Sequence, residues 1–385
     1  MANKIKICAL TTVSKTMDWF VIDSMRNLAN NGFDVSLVCD MDEDFINRNS
    51  DFATCIPVKM SRGIDIRGVI SGIITFYRIF KENKFDVIQF STPNAAFYAS
   101  IAGKLARVPV RVYGQWGIRY VTFNGLKRGI FKLVEKITCN GATHIKAVSF
   151  KNRQFAIDQG LCSDDKISVV GVGGTIGVDF NNYDIRKKTD FRREIRMKYG
   201  IAETDFVFGY VGRLNVDKGI NELIEAFNQI PNAKLMLVGM LDTCNPPKSE
   251  NMHYADQNPN VILTGNVESK EVAKYLAAFD IHVHPTYREG FGMVLQEALA
   301  MGCPIITTDV PGPSEVVENK VSGILVAAQD TDSLYNEMLS LMKDNARRER
   351  YSKCARERAE KFFERSIMLN NILDDYKKIL GIEDN

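Results

Sequence analysis

The chain lacks any strong charge imbalance, because 49 Lys and Arg side chains stand against 47 Asp and Glu in 385 residues. Proteins that attract nucleic acid through their overall field carry a marked excess of cations, so we expect no nucleic-acid partner. Histidine is also scarce, with four in the whole chain. His282 and His284 are at strand spacing, but the sequence places no third ligand beside them, which disfavours a metal site there.

Long hydrophobic runs are missing as well. The most apolar segment, 69–80, is interrupted by polar residues and is shorter than the ~20 residues that a membrane-spanning helix needs. Lys4 and Lys6 interrupt the first apolar run, and no small-residue cleavage site follows a long apolar stretch, which argues against a secretory signal. The eight cysteines include no CxxC pair, which is typical of buried thiols in a reducing compartment. We therefore predict a cytoplasmic protein without a transmembrane segment.

Short apolar runs alternate with amphipathic stretches along the chain. This alternation predicts strands and helices in turn, and hence parallel sheets covered by helices on both faces. The strands predicted in the first half are 5–10, 35–39, 87–90, 110–113, 145–148 and 167–170. Those predicted in the second half are 206–211, 235–238, 261–263, 281–283, 305–307 and 324–326. The length suits two domains better than one core.

A glycine-rich segment, 171–177, separates the two halves, and the polar, charged stretch that continues to Asp205 is predicted to be the linker. We therefore predict one domain at 1–174 and a second at 175–365. The remaining segment, 366–385, contains a helix that has no strand of its own to cover, so we expect it to pack back on the first domain.

The loop after the predicted strand 206–211 carries two cations beside a helix start near Gly219. Ligands bind parallel sheets at the carboxyl ends of the strands. Arg213 offers a planar fork to phosphate oxygens, Lys218 offers a point charge, and the helix start adds unpaired N–H donors. The combination predicts an anion site that fits a diphosphate. The alternative is a solvated pair of surface cations.

The loop after the predicted strand 281–283 carries two carboxylates eight residues apart. Glu289 precedes Gly290-Phe291-Gly292, where bare backbone N–H groups can approach a ligand, whereas Glu297 falls on the helix that follows. A carboxylate accepts two hydrogen bonds, which suits the hydroxyls of a ribose or a sugar. The alternative is that Glu297 is an ordinary exposed helix residue and Glu289 a charge at a helix start.

The chain resembles the retaining glycosyltransferases of family 4. Three segments carry this resemblance: the stretch from Glu289 to Glu297, the following 300–305, and the upstream 212–219. The similarity runs nearly end to end, and its most specific part is the E-x7-E motif. The resemblance implies the GT-B fold, in which two Rossmann-like parallel-sheet domains face each other across a cleft. The domain at 1–174 would be the acceptor side, and the domain at 175–365 would bind the nucleotide-sugar donor.

The resemblance also implies roles for individual residues. Arg213 and Lys218 would hold the donor diphosphate, Glu297 the nucleotide ribose, and Glu289 the sugar, and the catalytic set would be Glu289, Arg213 and Lys218. The donor site would be completed by Gly290, Phe291, Gly292, Met293 and Val294. Because protein cations neutralise the leaving diphosphate, the resemblance implies neither a bound metal nor a cofactor.

The first half departs from the family pattern at Trp116, which stands where many members carry a histidine. The expected acceptor of the proton from the acceptor hydroxyl is therefore an oxygen of the leaving phosphate. We place Thr12, Trp116 and Arg119 on the acceptor side. A metal site at the acidic run 40–44 is the alternative to metal-independent chemistry, but acidic loop residues are usually solvated.

The resemblance thus predicts retaining transfer of a hexose from a nucleoside diphosphate donor, with a UDP-sugar favoured, to a glycan or lipid-linked acceptor in cell-surface polysaccharide assembly. The alternatives are an epimerase or phosphorylase on the same fold, or a non-catalytic subunit that binds sugar nucleotides. Two stretches, 59–84 and 119–136, mix cations with apolar residues, as helices on an anionic membrane surface do. The alternative is an amphipathic helix with one buried face. We expect a cytoplasmic enzyme that contacts the inner face of the cytoplasmic membrane peripherally.

Overall fold

The computed structural model describes residues 4–60 and 66–382. The chain divides into two compact units. The first unit is made of Met1–Ile176 and Met368–Asn385, and the second of Gly177–Ile367. The corresponding boundaries predicted from the sequence lie after residues 174 and 365.

The first unit contains a sheet of seven parallel strands in the order β3-β2-β1-β4-β5-β6-β7. The strands are β1 Lys6–Val13, β2 Asp34–Asp40, β3 Ala53–Pro57, β4 Val87–Phe90, β5 Val110–Gln115, β6 His144–Ala147 and β7 Ile167–Val169. Ile7 pairs with Val35 on one side and with Val87 on the other. The central strands are buried on both faces, which explains their nearly continuous apolar sequences.

The helices of this unit cover both faces of the sheet. They are α1 Ser14–Phe20, α2 Ile22–Asn30, α3 Glu43–Asn49, α4 Ile66–Asn83, α5 Pro93–Ala106, α6 Gly125–Gly141 and α7 Phe150–Asp158. On one face, Phe76 of α4 and Tyr98 of α5 pack in a core with Phe90 of β4. On the other face, Met17 of α1 and Met25 of α2 pack in a second core.

The second unit contains six parallel strands in the order β10-β9-β8-β11-β12-β13. The strands are β8 Phe206–Val211, β9 Ala233–Val238, β10 Val261–Gly265, β11 Ile281–His284, β12 Ile305–Thr308 and β13 Gly323–Val326. The helices are α8 Lys188–Lys198, α9 Ile220–Phe227, α10 Ser249–Gln257, α11 Val272–Ala278, α12 Met293–Ala300, α13 Pro313–Val316, α14 Thr331–Lys343 and α15 Asn345–Phe362. The predicted architecture of two Rossmann-like parallel-sheet units is confirmed.

The last helix, α16 Arg365–Leu380, lies mostly in the first unit. Leu373 and Tyr376 are buried in the core that also contains Met17 and Met25. The Tyr376 hydroxyl contacts the Gln89 side chain, and Lys146 Nζ lies 2.6 Å from Asp375 Oδ1. Among the described residues, no helix combines the length and the apolarity that crossing a bilayer requires.

The prediction that the charged stretch before Asp205 is a linker was wrong, because α8 lies within it. The Arg196 side chain is only 1% exposed, and its Nη2 lies 2.9 Å from Asp280 Oδ2. Arg192 Nη2 lies 3.0 Å from the other oxygen of the same carboxylate. The Asp280 carboxylate is partly buried, and its pairing with two guanidinium groups avoids the cost of an isolated charge there. Arg192 and Arg196 therefore hold α8 against the rest of the second unit.

Candidate active site

The two loops singled out in the sequence follow adjacent strands at the centre of the second sheet. The chain leaves β8 towards β9 and β10 on one side and returns to β11 on the other. In parallel sheets, this reversal of strand order opens a crevice beyond the carboxyl ends of the two central strands. The loop 212–219 follows β8 and the loop 285–292 follows β11, so the topology brings them to the same crevice.

Gly219 shows how closely the two loops approach each other. Its φ is +69°, and a Cβ atom there would collide with the carbonyl oxygen of Pro285. A left-handed conformation with no space for a side chain requires glycine. The Asn215 side chain accepts a hydrogen bond of 3.1 Å from Lys218 N, which fixes the turn before α9 begins at Ile220. The turn holds the Lys218 backbone beside the second loop.

Lys218 and Glu289, one from each loop, form an ion pair at this edge of the sheet, and both side chains are mostly buried. The Nε2 atom of His284, the last residue of β11, lies 3.6 Å from Glu289 Oε2. Burial alone would raise the pKa of Glu289, but Lys218 and His284 more than offset it and hold the pKa well below its usual range. Burial lowers the pKa of His284, which favours a neutral imidazole. The pair therefore consists of the mostly buried, ionised carboxylate of Glu289 and the Lys218 cation beside it.

Asp217 of the first loop binds the second loop through hydrogen bonds and an ion pair. The Tyr287 backbone N–H donates to the Asp217 carbonyl oxygen at 2.8 Å, and the Thr286 hydroxyl donates to the same oxygen at 3.2 Å. The Arg288 guanidinium contacts the Asp217 carboxylate. These bonds fix the backbone that carries Glu289.

Helix α12 begins directly after the second loop. Gly292, with a φ of +94°, precedes its first residue, Met293, and Val294 follows in the first turn. Phe291 is buried and makes an edge-to-face contact with Phe363, at 5.9 Å between ring centroids. A Cβ atom at Gly312 would lie 2.8 Å from the Gly290 carbonyl oxygen, so the loop that contains Gly312 packs closely against this turn. The first turn of α12 thus presents its backbone N–H groups at the carboxyl edge of β11.

Glu297 has different surroundings from Glu289. It lies on α12, as predicted, and its side chain is half-buried rather than on the exposed surface of a helix. Burial raises its pKa, while a hydrogen bond from the Tyr183 hydroxyl and the charge of Arg365 act in the opposite direction. The two carboxylates therefore have separate partners, with Lys218 and His284 beside one and Tyr183 and Arg365 beside the other.

Arg213 lies apart from the Lys218–Glu289 pair. Its side chain is 72% exposed, and its Nη1 lies 3.3 Å from Asp242 Oδ2. The Asn215 amide donates to the same oxygen at 3.1 Å. Hydrogen bonding from Asn215 and the charge of Arg213 lower the pKa of Asp242. The two cations of the first loop thus have different partners, because Arg213 pairs with Asp242 and Lys218 pairs with Glu289.

Several of these contacting residues were not among the predicted site residues, and the carboxylate partners among them are His284, Tyr183, Arg365 and Asn215, with Asp242 as the partner of Arg213. His284 is the one that the sequence could have indicated, because it ends an apolar strand and directly precedes the predicted loop. Tyr183 and Asp242 follow the glycine-rich segment and β9, respectively, and carry no motif of their own.

The predicted acceptor-side residues lie in the first unit. Thr12 Oγ1 lies 2.8 Å from Thr92 Oγ1, and the Thr12 N–H donates to the same oxygen. Trp116 is half-buried, packs on Phe20 at 5.3 Å between ring centroids, and lines a cavity with Lys146. Arg119 is exposed and lines a different cavity. The structure therefore does not gather the three residues into one pocket.

The alternative metal sites have structural roles in the described part of the chain. The Asp42 side chain caps α3 by accepting a hydrogen bond of 2.9 Å from Phe45 N. His282 and His284 are buried and stack at 5.7 Å between ring centroids. Within 4–60 and 66–382, no group of three His, Cys, Asp or Glu side chains is placed to hold a metal ion.

Two family models cover most of the chain. Residues 6–149 match the model described as glycosyl transferase 4-like, and residues 191–358 match glycosyl transferases group 1. The chain is 31% identical over 382 residues to the capsular polysaccharide biosynthesis glycosyltransferase CapM of Staphylococcus aureus, and the match spans 97% of both proteins. It is 26% identical over 329 residues to the UDP-Gal:alpha-D-GlcNAc-diphosphoundecaprenol alpha-1,3-galactosyltransferase of Escherichia coli, over 82% of each.

Solved structures share the fold. A glycosyltransferase from Rickettsia africae ESF-5 superposes with a TM-score of 0.80 at 18% identity, over 99% of this chain and 100% of the other. HepE of Anabaena in complex with UDP-glucose superposes with a TM-score of 0.79 at 20% identity, over 97% of this chain and 100% of the other. With the parallel sheets described above, these similarities establish the GT-B fold, and the chain belongs to the GT-B glycosyltransferases.

Proposed function

We propose that the protein is a retaining glycosyltransferase of family 4 that transfers a hexose from a nucleoside diphosphate donor, most favourably a UDP-sugar, to a glycan or lipid-linked acceptor. The single observation that carries this proposal is the Lys218–Glu289 pair beside the start of α12, at the point where the strand order of the second sheet reverses. This arrangement places a cation, a carboxylate and backbone donors together, and a sugar joined to a diphosphate needs all three.

In the proposed mechanism, Lys218 and Arg213 stabilise the negative charge that develops on the leaving group. As the bond between the anomeric carbon and the phosphate oxygen breaks, negative charge grows on the diphosphate. Lys218, Arg213 and the N–H groups at Gly290–Met293 would stabilise that charge without a metal ion. The Arg213 side chain is exposed, although its partner Asp242 is largely buried, so a diphosphate could attract the guanidinium at little desolvation cost to Arg213.

The two carboxylates would bind hydroxyl groups. Glu289 lies next to Lys218 and would accept hydrogen bonds from the sugar, whereas Glu297, with its separate partners, would bind the ribose. The acceptor hydroxyl would attack the face that the diphosphate leaves, and its proton would pass to a departing phosphate oxygen. Retention follows because the new bond forms on the side of the old one. Thr12, Trp116 and Arg119 remain the proposed acceptor-side residues.

The names of similar proteins support the donor and acceptor classes. CapM is named for capsular polysaccharide biosynthesis, and the E. coli relative is named for a UDP-galactose donor and a diphosphoundecaprenol-linked acceptor. HepE has been solved with UDP and with UDP-glucose. We therefore propose that the enzyme takes part in cell-surface polysaccharide assembly in the cytoplasm, at the inner face of the membrane where a lipid-linked acceptor is available.

A thermal-shift panel of UDP-, GDP- and ADP-sugars tests the donor class. A ligand that binds only the native state raises the unfolding temperature, and at a hundredfold excess over Kd it adds about 2.7 kcal/mol of stability. We expect stabilisation by the UDP-sugars. Equal responses to all three nucleotides would contradict the base assignment, and no response to any of them would contradict the donor site itself.

We expect transfer to continue at an unchanged rate in excess chelator, because Lys218 and Arg213 supply the positive charge that a metal ion provides in other enzymes. The measurement compares initial rates with and without EDTA, after the enzyme has been dialysed against the chelator. Loss of activity that Mg²⁺ or Mn²⁺ restores would contradict the metal-independent mechanism and direct attention to Asp40 and Asp42.

A further inference from the structure

The strand order of the first sheet also reverses. The chain leaves β1 towards β2 and β3 on one side and returns to β4 on the other. The topological rule that applies to the second sheet therefore places a crevice beyond the carboxyl ends of β1 and β4 as well. Thr12 lies near the end of β1, and Ser91 and Thr92 directly follow β4. The side chains at this crevice are hydroxyl groups, whereas those of the second unit are charged.

Thr92 has an unusual backbone conformation. Its φ is +67° and its ψ is 141°. Pro93, which begins α5, accounts for the extended ψ, because a proline disfavours a helical ψ in the residue before it. It does not account for the positive φ, which is an outlier for a β-branched residue. Of the six non-glycine residues with positive φ in the part of the chain that the structure describes, Thr92 alone is β-branched. Strained residues concentrate at functional sites, where the surrounding contacts hold them in place.

Hydrogen bonds on both sides hold Thr92 in this conformation. The Thr12 N–H donates to Thr92 Oγ1 at 3.0 Å, and the two hydroxyl oxygens are 2.8 Å apart. The Thr92 carbonyl oxygen accepts a bond of 2.8 Å from Ala96 N in the first turn of α5. The side chain of Thr92 thus bonds to the end of β1 and its backbone to α5. The Thr92 hydroxyl therefore fixes the position of Thr12 at the crevice.

The hydroxyl pair of Thr12 and Thr92 keeps one proton unused. The two groups have one proton each, and their mutual hydrogen bond uses one of the two. Whichever oxygen donates in that bond, the other hydroxyl has a proton without a hydrogen-bond partner among the described residues. Both residues are half-buried, so this proton is not enclosed in the core. The pair can therefore donate one hydrogen bond to a ligand.

Further donors lie at the same edge of the sheet. Ser91 is 1% exposed, and its Oγ has no hydrogen-bond partner within the described ranges. A Cβ atom at Gly114 would collide with that oxygen and would lie 3.1 Å from Trp116 Nε1, so glycine leaves the space between the hydroxyl and the indole N–H open. A buried hydroxyl without a partner costs free energy. An oxygen of a ligand that accepts from Ser91 would remove that cost.

We propose that Thr92 is a positioning residue of the acceptor side, which holds Thr12 so that the hydroxyl pair donates its unused proton to an oxygen of the acceptor. Ser91 and Trp116 supply further donors at this crevice. All four groups are neutral, so they suit a sugar hydroxyl or a phosphate oxygen, both of which accept hydrogen bonds. The inference rests on the proposed transfer function and adds Thr92 and Ser91 to its acceptor side.

Transfer kinetics of Thr92→Val test this role, because valine keeps the β-branched shape and removes the hydroxyl. The donor is a saturating UDP-sugar, and the acceptors are monosaccharides linked to farnesyl diphosphate. We expect the acceptor KM to rise about three- to tenfold, the usual effect of one hydrogen bond between neutral groups. The kcat and the Kd for UDP should change less than about twofold, because the donor is bound elsewhere. Thr92→Ser keeps the hydroxyl and should have an acceptor KM close to that of wild type.

Thr143→Val is the matched control at the amino edge of the same sheet. The Thr143 hydroxyl accepts a bond of 2.8 Å from Arg111 N, as the Thr92 hydroxyl accepts one from Thr12 N. Both valine variants should therefore lower the unfolding temperature to a similar extent, whereas only Thr92→Val should raise the acceptor KM. An equal rise in both variants would show that the Thr92 hydroxyl acts only through stability, and it would overturn the inference.

Octyl glycosides of the same monosaccharides, which lack the diphosphate, distinguish the two kinds of oxygen. A rise in the KM of Thr92→Val for both acceptor types assigns the donated proton to the sugar, and a rise for the diphosphate-linked type alone assigns it to a phosphate. An unchanged KM for both types in the folded variant would overturn the inference and leave the proposed function intact. A wild-type enzyme that transfers sugar to neither type would contradict the proposed function and, with it, this inference.

Discussion

Lys218→Ala is expected to lower kcat by about a hundred- to a thousandfold while changing donor affinity much less, by analogy with the removal of one charge-stabilising donor in other enzymes. The charge on the diphosphate grows as the glycosidic bond breaks, so a cation beside it contributes more in the transition state than in the ground state. The measurement is the single-turnover rate at saturating donor, together with the Kd for the donor. Arg213→Ala should behave similarly.

The control must separate the loss of a catalytic cation from the disturbance of a buried pair. Removing Lys218 leaves Glu289 mostly buried without its cation, which costs stability. Thermal unfolding of the variant therefore has to show a folded protein at the assay temperature. Lys274→Ala breaks a lysine–glutamate pair elsewhere in the second unit and should retain the wild-type rate. Rates for Lys218→Ala within about threefold of wild type, under 1 kcal/mol of barrier, would mean that Lys218 does not act at the leaving group.

Most strands were predictable because a strand buried on both faces reads as a short apolar run. The predicted segments 87–90 and 206–211 match β4 and β8 residue for residue. Strand β3 was missed. Its sequence, Ala53–Pro57, contains a polar threonine and ends in proline, and it lies at the edge of the sheet with no fully buried residue. An edge strand needs no continuous apolar sequence, so the pattern that identifies central strands is weak there.

Helix α8 was mistaken for a linker for a related reason. Its sequence is rich in Arg and Lys, which are mostly exposed in proteins, and the prediction treated them so. Arg192 and Arg196 instead pair with Asp280, which lies more than eighty residues further along the chain. No local sequence pattern indicates such a partner, because the contact depends on β11 lying beside β8 in the sheet. Charge alone therefore could not separate a linker from a helix held by ion pairs.

The positions of the site loops followed from the sequence, but their contacts did not. Parallel topology alone brings the loops after β8 and β11 to one crevice. Which side chains meet there depends on turn geometry: Gly219 lets the two loops touch, and Asn215 sets the direction of Lys218. Arg213 and Lys218 have the same predicted role in the sequence, whereas they have different carboxylate partners in the structure.

Glu297→Gln is expected to weaken nucleotide binding by about 1.5–3 kcal/mol, or roughly ten- to a hundredfold in Kd, which is the usual contribution of a hydrogen bond to a charged group. The carboxylate can accept both ribose hydroxyls at once, whereas the amide replaces one acceptor oxygen with a donor. Because Glu297 would contact the ribose and not the diphosphate, where the negative charge develops, the rate at saturating donor should fall far less than Kd rises. Calorimetric titration of UDP into wild type and variant gives the affinity directly.

The difficulty with this variant is that Glu297 also accepts a hydrogen bond from the Tyr183 hydroxyl, so a purely structural role has to be excluded. Glutamine keeps an oxygen that can accept this bond, and the change removes the cost of burying a charge. The unfolding temperature of Glu297→Gln should therefore remain close to that of wild type. Tyr183→Phe removes the hydroxyl but keeps the carboxylate, so it should reduce UDP affinity less than Glu297→Gln does. Glu337→Gln, at a glutamate of α14 paired with Arg347, should change neither quantity. Unchanged UDP affinity in Glu297→Gln, with altered stability, would assign this carboxylate to the packing of α12 and leave the ribose without its proposed partner.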